Sequence, residues 1–173
     1  MPEATLPTPK RKSYIEEAIL ISLIILSLIG IFINEFSPAD GYGYWVIMVF
    51  VFAPFAIIIG WRRSKQRSED FKSILGEQTL HWLTTLLVVG CVSLVQKSDI
   101  QAGRVILLIL SLATMLDGMR VGWRFRLIGL FLGFSAVIPT YTEHFFWLEV
   151  VIAVVIIVLT LLWEIWSTRK LQS

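Results

Sequence analysis

"FFWLEVVIAVVIIVLTLLWEIW", residues 145–166, decides the fold class, because it is long enough and apolar enough to cross a lipid bilayer as one helix. Its only charged residues are Glu149 and Glu164. The whole chain agrees, since 56% of its 173 residues are hydrophobic and 16% are charged. A soluble domain of this size would carry more charge on its surface and would aggregate with this much exposed apolar area. We therefore predict an all-α integral membrane protein without a soluble domain.

Further apolar runs occur along the chain, each long enough for a membrane span or nearly so. We predict six transmembrane helices, arranged as three antiparallel hairpins, over residues 18–34, 44–60, 78–95, 104–119, 127–141 and 145–166. The fifth is the shortest and needs Arg124 and Arg126 to extend towards the headgroups. Residues 1–13 and 168–173 are predicted to be tails of one membrane domain, residues 14–167.

The basic residues are distributed unevenly between the two predicted sides. With the N-terminus in the cytoplasm, 13 of the 15 lysines and arginines lie inside, and only Lys97 and Arg104 lie outside. The seven tryptophans all fall near predicted span ends, where amphipathic rings prefer the headgroup layer. By the positive-inside rule we expect both termini in the cytoplasm, in a plasma membrane or a bacterial inner membrane.

An internal similarity links the first two predicted hairpins. Residues 12–30 align with residues 72–90, with matching Lys-Ser, Glu and Gly positions, and Gly-Trp-Arg occurs at both 60–62 and 122–124. A duplicated hairpin explains these matches and would keep both copies in the same orientation. The alternative is chance, because leucine matches are frequent in apolar sequence and basic-aromatic ends are common at inner boundaries.

The most polar stripe of any predicted span lies at the start of the third. Glu77 and His81 are four residues apart and so share one helical face, which Thr84 and Cys91 continue. Polar groups within membrane helices often form ion or proton pathways. The simpler interpretation is a capped helix start at the interface, with His81 bonded to a neighbouring helix.

Other acidic residues form two candidate groups. Near the inner surface, Asp117 and Glu17, the repeat partner of Glu77, either surround a vestibule with Glu77 or pair with nearby arginines. Near the outer surface, the candidate cluster comprises Glu143, His144 and Glu149, within reach of Arg104 or Lys97. Of these, we expect Glu149 to face protein, since it lies one turn into the last helix.

Small residues four apart mark candidate packing faces. Ala56 and Gly60 have this spacing in the second span, and Gly129 and Gly133 have it in the fifth. Such pairs let two helix backbones approach closely. The contact lies either within the chain or between two copies of it.

Several classes of site lack the residues they need. Gly41-Tyr42-Gly43 resembles the centre of a potassium filter, but the preceding loop is too short for a pore helix. The fourth span lacks the regularly spaced arginines of a voltage sensor. His81 and His144 lie at opposite surfaces and cannot hold one haem between them. We expect no catalytic centre, metal site or cofactor.

Two classes of function remain. One is a small transporter or channel-like protein that moves an ion or small solute, as a homo-oligomer whose pathway runs between copies. The other is an accessory or scaffold subunit of a larger membrane complex. In either class the partners are the bilayer and other membrane chains, and nucleic acid is not expected.

Overall fold

Six α-helices make up the described part of the chain. The computed structural model describes residues 10–67, 71–95, 102–138 and 146–170. The helices are α1 (Lys10–Phe36), α2 (Pro38–Arg67), α3 (Phe71–Val95), α4 (Ala102–Val121), α5 (Trp123–Val137) and α6 (Phe146–Lys170). Within these residues, five helices are long and apolar enough to cross a membrane, namely α1, α2, α3, α4 and α6. The predicted all-α class is confirmed, and each of these five helices overlaps one of the predicted spans.

The fifth helix differs from its predicted span of residues 127–141. It begins four residues earlier, at Trp123, and its 15 residues end at Val137. At 1.5 Å per residue this helix is roughly 22 Å long, against about 30 Å of hydrocarbon. Residues 139–141 of the predicted span lie outside the described residues. That α5 crosses the membrane therefore stays a prediction.

The early start of α5 follows from the backbone of Gly122, which separates it from α4. Gly122 has φ 131° and ψ 168°, a conformation that residues with a Cβ almost never adopt. Its N–H still donates to the carbonyl of Gly118 at 3.0 Å, and its own carbonyl accepts from Phe125 N–H at 3.0 Å. The chain thus reverses at one residue, and α5 folds back along α4.

Glycines allow α4 and α5 to pack with their backbones in contact. A Cβ on Gly118 would lie 2.5 Å from Arg126 N, and one on Gly129 would lie 2.6 Å from Met115 N. A Cβ on Gly133 would lie 2.8 Å from the Ser111 hydroxyl oxygen. This pair is the closest in the bundle and joins helices that the sequence analysis assigned to different hairpins.

We expect Gly122→Ala to destabilise the folded chain by about 1–3 kcal/mol, because alanine must adopt the same strained backbone conformation. The measurement is the free energy of unfolding in mixed detergent micelles. Gly43→Ala is the matched control, since a Cβ there meets nothing within 4 Å. Equal unfolding free energies for the two variants would contradict the assigned role of Gly122.

The helices form a bundle with α2 and α4 near its centre. α3 packs against α2 and α4 on one side, while α6 packs against α1 and α5 on the other. Most of the core is aliphatic and aromatic. Two tryptophans predicted for the headgroup layer, Trp45 and Trp82, lie in this core with their side chains almost fully buried. The other five have exposed side chains, namely Trp61, Trp123, Trp147, Trp163 and Trp166.

The two Gly-Trp-Arg segments have different surroundings. Gly60 lies inside α2 and faces Gln78, whereas Gly122 forms the break between α4 and α5. The matched Gly30 and Gly90 also differ, because Gly30 faces two aromatic rings and a Cβ on Gly90 meets nothing within 4 Å. These pairs lend the predicted duplication no structural support, and it stays a prediction.

Candidate functional site

A buried carboxyl group on α4 is the centre of the candidate site. Asp117, which we predicted to lie near the inner membrane surface, is only 1% exposed within the bundle. The side-chain amide of Gln78 on α3 donates through Nε2 to both Asp117 oxygens, at 2.9 Å each. This contact joins α3 to α4 through a neutral donor and an ionisable acceptor within membrane-spanning segments.

Gln78 reaches Asp117 because it belongs to the face of α3 that packs on the bundle. Trp82, Thr85 and Val89 are also buried, at the spacing of one helical face. On the far side of Gln78 lies Gly60 of α2, and a Cβ at Gly60 would collide with the amide oxygen. The small-residue spacing that ends at Gly60 therefore makes room for this amide.

Sequence reasoning missed Gln78 because it followed the neighbouring stripe of Glu77, His81 and Thr84. The available signal was the helical spacing of Gln78 with Trp82, a large ring that marks a packed face. A polar residue on the apolar face of a membrane helix needs a partner on another helix. Here that partner is Asp117.

Three further side chains act on the Asp117 carboxyl group. His81 and Arg120 lie near enough to interact with it through their charge, and the Trp82 ring nitrogen lies beside it. That Trp82 N–H is buried and makes no hydrogen bond of normal geometry among the described residues. His81 itself donates through Nε2 to the Ala113 carbonyl at 3.1 Å, which fixes its ring against α4. Asp117 therefore lies among nitrogen donors.

An open groove between α3 and α4 lies next to this buried group. Its volume is about 460 Å³, and Glu77, His81 and Thr84 all line it. At one end Arg120 approaches Glu77 with 3.7 Å between nitrogen and oxygen, and both side chains are at least half exposed. The rest of the lining is largely aliphatic. Three predicted residues thus share one surface, with Asp117 behind it.

Glu17 is not part of this groove. It lies on α1, which packs against α2, α5 and α6, whereas α3 packs against α2 and α4. The neighbouring Glu16 instead lines a small cavity together with Arg124 and Gly122. The structure therefore does not bring Glu17 and Glu77 together, although the repeat alignment pairs them.

A second buried carboxyl group lies at the opposite end of the bundle. Glu149 on α6 is 1% exposed, and neither of its oxygens has a hydrogen-bond partner among the described residues. Ser135 of α5 and Glu35 of α1 are the side chains that act on it, and Arg104 is not among them. The Ser135 hydroxyl is likewise buried without a partner of normal geometry. Glu143 and His144, the other predicted members, lie outside the described residues.

Buried hydroxyl groups occupy the region between the two carboxyl groups. Thr114 and Ser111 lie three and six residues before Asp117 on α4, and all three side chains are buried. The Thr114 hydroxyl donates to the Leu110 carbonyl at 2.7 Å, and that of Ser111 donates to the Gly129 carbonyl of α5 at 2.8 Å. We call Thr114, Ser111 and Ser135 the hydroxyl row. Thr114 and Ser111 lie on the same helix as Asp117, and Ser135 lies on α5 beside Glu149.

Comparison of the chain with protein families, with curated proteins and with solved structures finds no match. In the part of the chain that the structure describes, no three metal-ligating side chains lie together.

Proposed function

We propose that this protein moves an ion across the membrane as a small transporter or channel-like protein, and that its cargo is a proton. The observation that carries the proposal is the pair of buried carboxyl groups, Asp117 and Glu149, at opposite ends of the bundle. Ionisable groups are costly inside a membrane and are commonly part of ion pathways or proton relays.

The hydroxyl row supports a proton as the cargo. From Asp117 to Ser111 the row rises roughly 9 Å along α4, and the hydroxyl groups of Thr114 and Ser111 donate to backbone carbonyl oxygens. A hydroxyl group can accept one proton while releasing another, because it is both donor and acceptor. In the proposal each hydroxyl group rotates away from its carbonyl to hand a proton on, and water molecules bridge the gaps between the hydroxyl groups, whereas a hydrated cation or larger solute is too large for this route.

The Glu77–Arg120 pair lies at the entrance of the proposed pathway. Arg120 is three residues beyond Asp117 on α4, and both members of the pair are partly exposed. In the proposal, protons exchange with water at this end and reach Asp117. They then pass along the hydroxyl row to Glu149. Gln78 holds the Asp117 carboxyl group in place while its charge changes.

The proposed membrane arrangement has six spans in three antiparallel hairpins, with α5 crossing as a short span. Both termini are cytoplasmic, since that orientation leaves 13 of 15 basic residues inside. A plasma membrane or bacterial inner membrane is the proposed location. Duplication of the first hairpin remains part of this proposal on the evidence of the aligned sequence alone.

Proton flux through purified protein in liposomes tests the proposed function. A potassium gradient with valinomycin supplies the driving force, and a trapped pH-sensitive dye reports proton entry. We expect Asp117→Asn and Glu149→Gln each to lower the rate by about tenfold or more, because neither amide can carry the proton. Thr114→Val should also lower it, since it interrupts the hydroxyl row.

Thr160→Val is the matched control for Thr114→Val. Thr160 is a buried threonine on α6 whose hydroxyl donates to the Ile156 carbonyl at 2.7 Å, as the Thr114 hydroxyl does to Leu110. It lies outside the hydroxyl row, so its removal should leave the rate unchanged. Flux equal to that of protein-free liposomes, or equal rates for wild type and Asp117→Asn, would overturn the proposal.

The second candidate function is an accessory or scaffold subunit of a larger membrane complex. The observation that favours it is the groove, because Glu77, His81 and Thr84 face outward where another chain can cover them. Glu77→Gln and His81→Ala separate the two functions. Lost flux with intact assembly favours transport, whereas lost co-purification of other subunits with no measurable flux favours the accessory role.

A further inference from the structure

The two outermost helices, α3 and α6, allow a comparison within one molecule. They lie on opposite sides of the bundle, and only 22% of the α3 span and 17% of the α6 span are buried. Both therefore present most of their surface to the surrounding membrane. A difference in amino-acid composition between their outward faces therefore indicates that different molecules cover them.

The outward face of α6 is typical of contact with lipid chains. Its exposed side chains between Phe146 and Trp163 are all large and apolar. They comprise Trp147, Leu148, Val151, Val154, Val155, Val158, Leu159, Leu161, Leu162 and Trp163.

The outward face of α3 differs in both size and polarity. Gly76 and Gly90 lie on it, and a Cβ on either would meet nothing within 4 Å. Glu77, Thr84 and Cys91 are exposed on the same helix, among leucines. Helix contacts inside membranes are enriched in small residues, which allow close approach, and in polar residues, which bond across the contact. This face therefore has the composition of a helix interface.

The spacing on α3 fits a second parallel helix. Gly76, Leu83 and Gly90 are seven residues apart. A second exposed set with the same interval lies beside them, namely Leu80, Leu87 and Leu94. Two sets of this spacing form the seam of a left-handed coiled coil. Two copies related by an axis along the membrane normal would place their α3 helices parallel.

The charges on this side of the bundle are self-complementary. Glu77 and Arg120 lie at one level, 3.7 Å apart and both at least half exposed. With two-fold symmetry, Glu77 of each copy can face Arg120 of the other, so that each charge gains a second partner. A helix of a different protein would need its own acidic and basic residues at the same depth in the membrane.

We propose that a second copy of this chain packs on the α3 face, with the two α3 helices side by side, and closes the groove. The contact removes Glu77, His81 and Thr84 from lipid. This contact goes beyond the proposed ion transport, because it concerns the assembly of two chains and is tested without a flux measurement. It also lets the small groove of one copy become part of an enclosed space between two.

The single cysteine of the chain tests this directly. Cys91 is exposed on the α3 face, so a short bis-maleimide added to native membranes should join two wild-type chains. The control is Cys91→Ala combined with Val151→Cys, which moves the cysteine to an equally exposed site on α6 at the same end of the bundle. We expect a dimer band from the first protein and its loss in the second.

Gly76→Leu and Gly90→Leu provide a second measurement, by native mass spectrometry after gentle extraction. A Cβ at either position meets nothing within 4 Å in its own chain, and both positions are exposed, so the fold should persist while the dimer is lost. Val151→Leu on α6 should leave the dimer intact. Three results would each overturn the proposal. The wild type is a monomer by mass spectrometry, the two cysteine positions cross-link equally, or Cys91 cross-links to a different polypeptide.

Discussion

Gly129→Leu is expected to unfold a large fraction of the protein, because it forces apart the closest pair of helices. Even the first side-chain carbon would lie 2.6 Å from Met115 N and 2.8 Å from Met115 Cα. These are backbone atoms within α4, so no side-chain rotation relieves the overlap. Overpacking of this kind costs about 1–3 kcal/mol or more, and leucine adds further atoms to the overlap.

The measurement is the free energy of unfolding in mixed micelles, supported by the yield of monodisperse protein from gel filtration. Gly129→Ala should show a smaller loss than leucine in the same direction. Gly43→Ala is the control, because its Cβ has open space and the change removes backbone freedom from a helix, so stability should stay equal or rise by about 0.5–1 kcal/mol. Wild-type stability in Gly129→Leu would show that α4 and α5 do not pack as described.

Gln78→Leu should destabilise the protein by about 2–3 kcal/mol, because it removes the amide that donates to both Asp117 oxygens. A buried carboxyl group without its donor costs more than the hydrogen bonds alone contributed. Leucine is shorter than glutamine and carries no polar atom that could replace the amide. The measurement is the free energy of unfolding, which should be lower than that of the wild type.

Asp117→Leu in the Gln78→Leu background completes the test. The double variant should recover much of the loss, since both polar groups are then gone and the interaction energy between neighbouring sites is roughly 0.5–3 kcal/mol. Thr85→Val is the control on the same buried face, because its hydroxyl donates to the His81 carbonyl of its own helix at 3.0 Å and so does not link α3 to α4. Strict additivity of the two single changes would mean that Gln78 and Asp117 do not interact.

Some features of this protein follow from local sequence alone. A run such as residues 146–163 has a mean hydropathy of 2.7 despite Glu149, which is high enough to favour the bilayer whatever its neighbours are. The number and position of five helices long enough to span were therefore predictable from composition within a short window. The one-turn spacing of Glu77, His81 and Thr84 also predicted correctly that they share a surface.

The candidate site depended on tertiary structure. The position of Asp117 near the end of α4 does not show whether its side chain faces water or protein. It is the packing of α3 on α4 that buries this carboxyl group beside Gln78. The tight α4–α5 pair likewise depends on Gly122, whose backbone conformation is accessible to glycine, and on contacts between residues of two different helices. Hydropathy is a property of each segment by itself, whereas the partner of a polar side chain depends on how two segments pack together. The sequence by itself therefore determined which segments enter the membrane, and the tertiary structure decided which polar groups meet there.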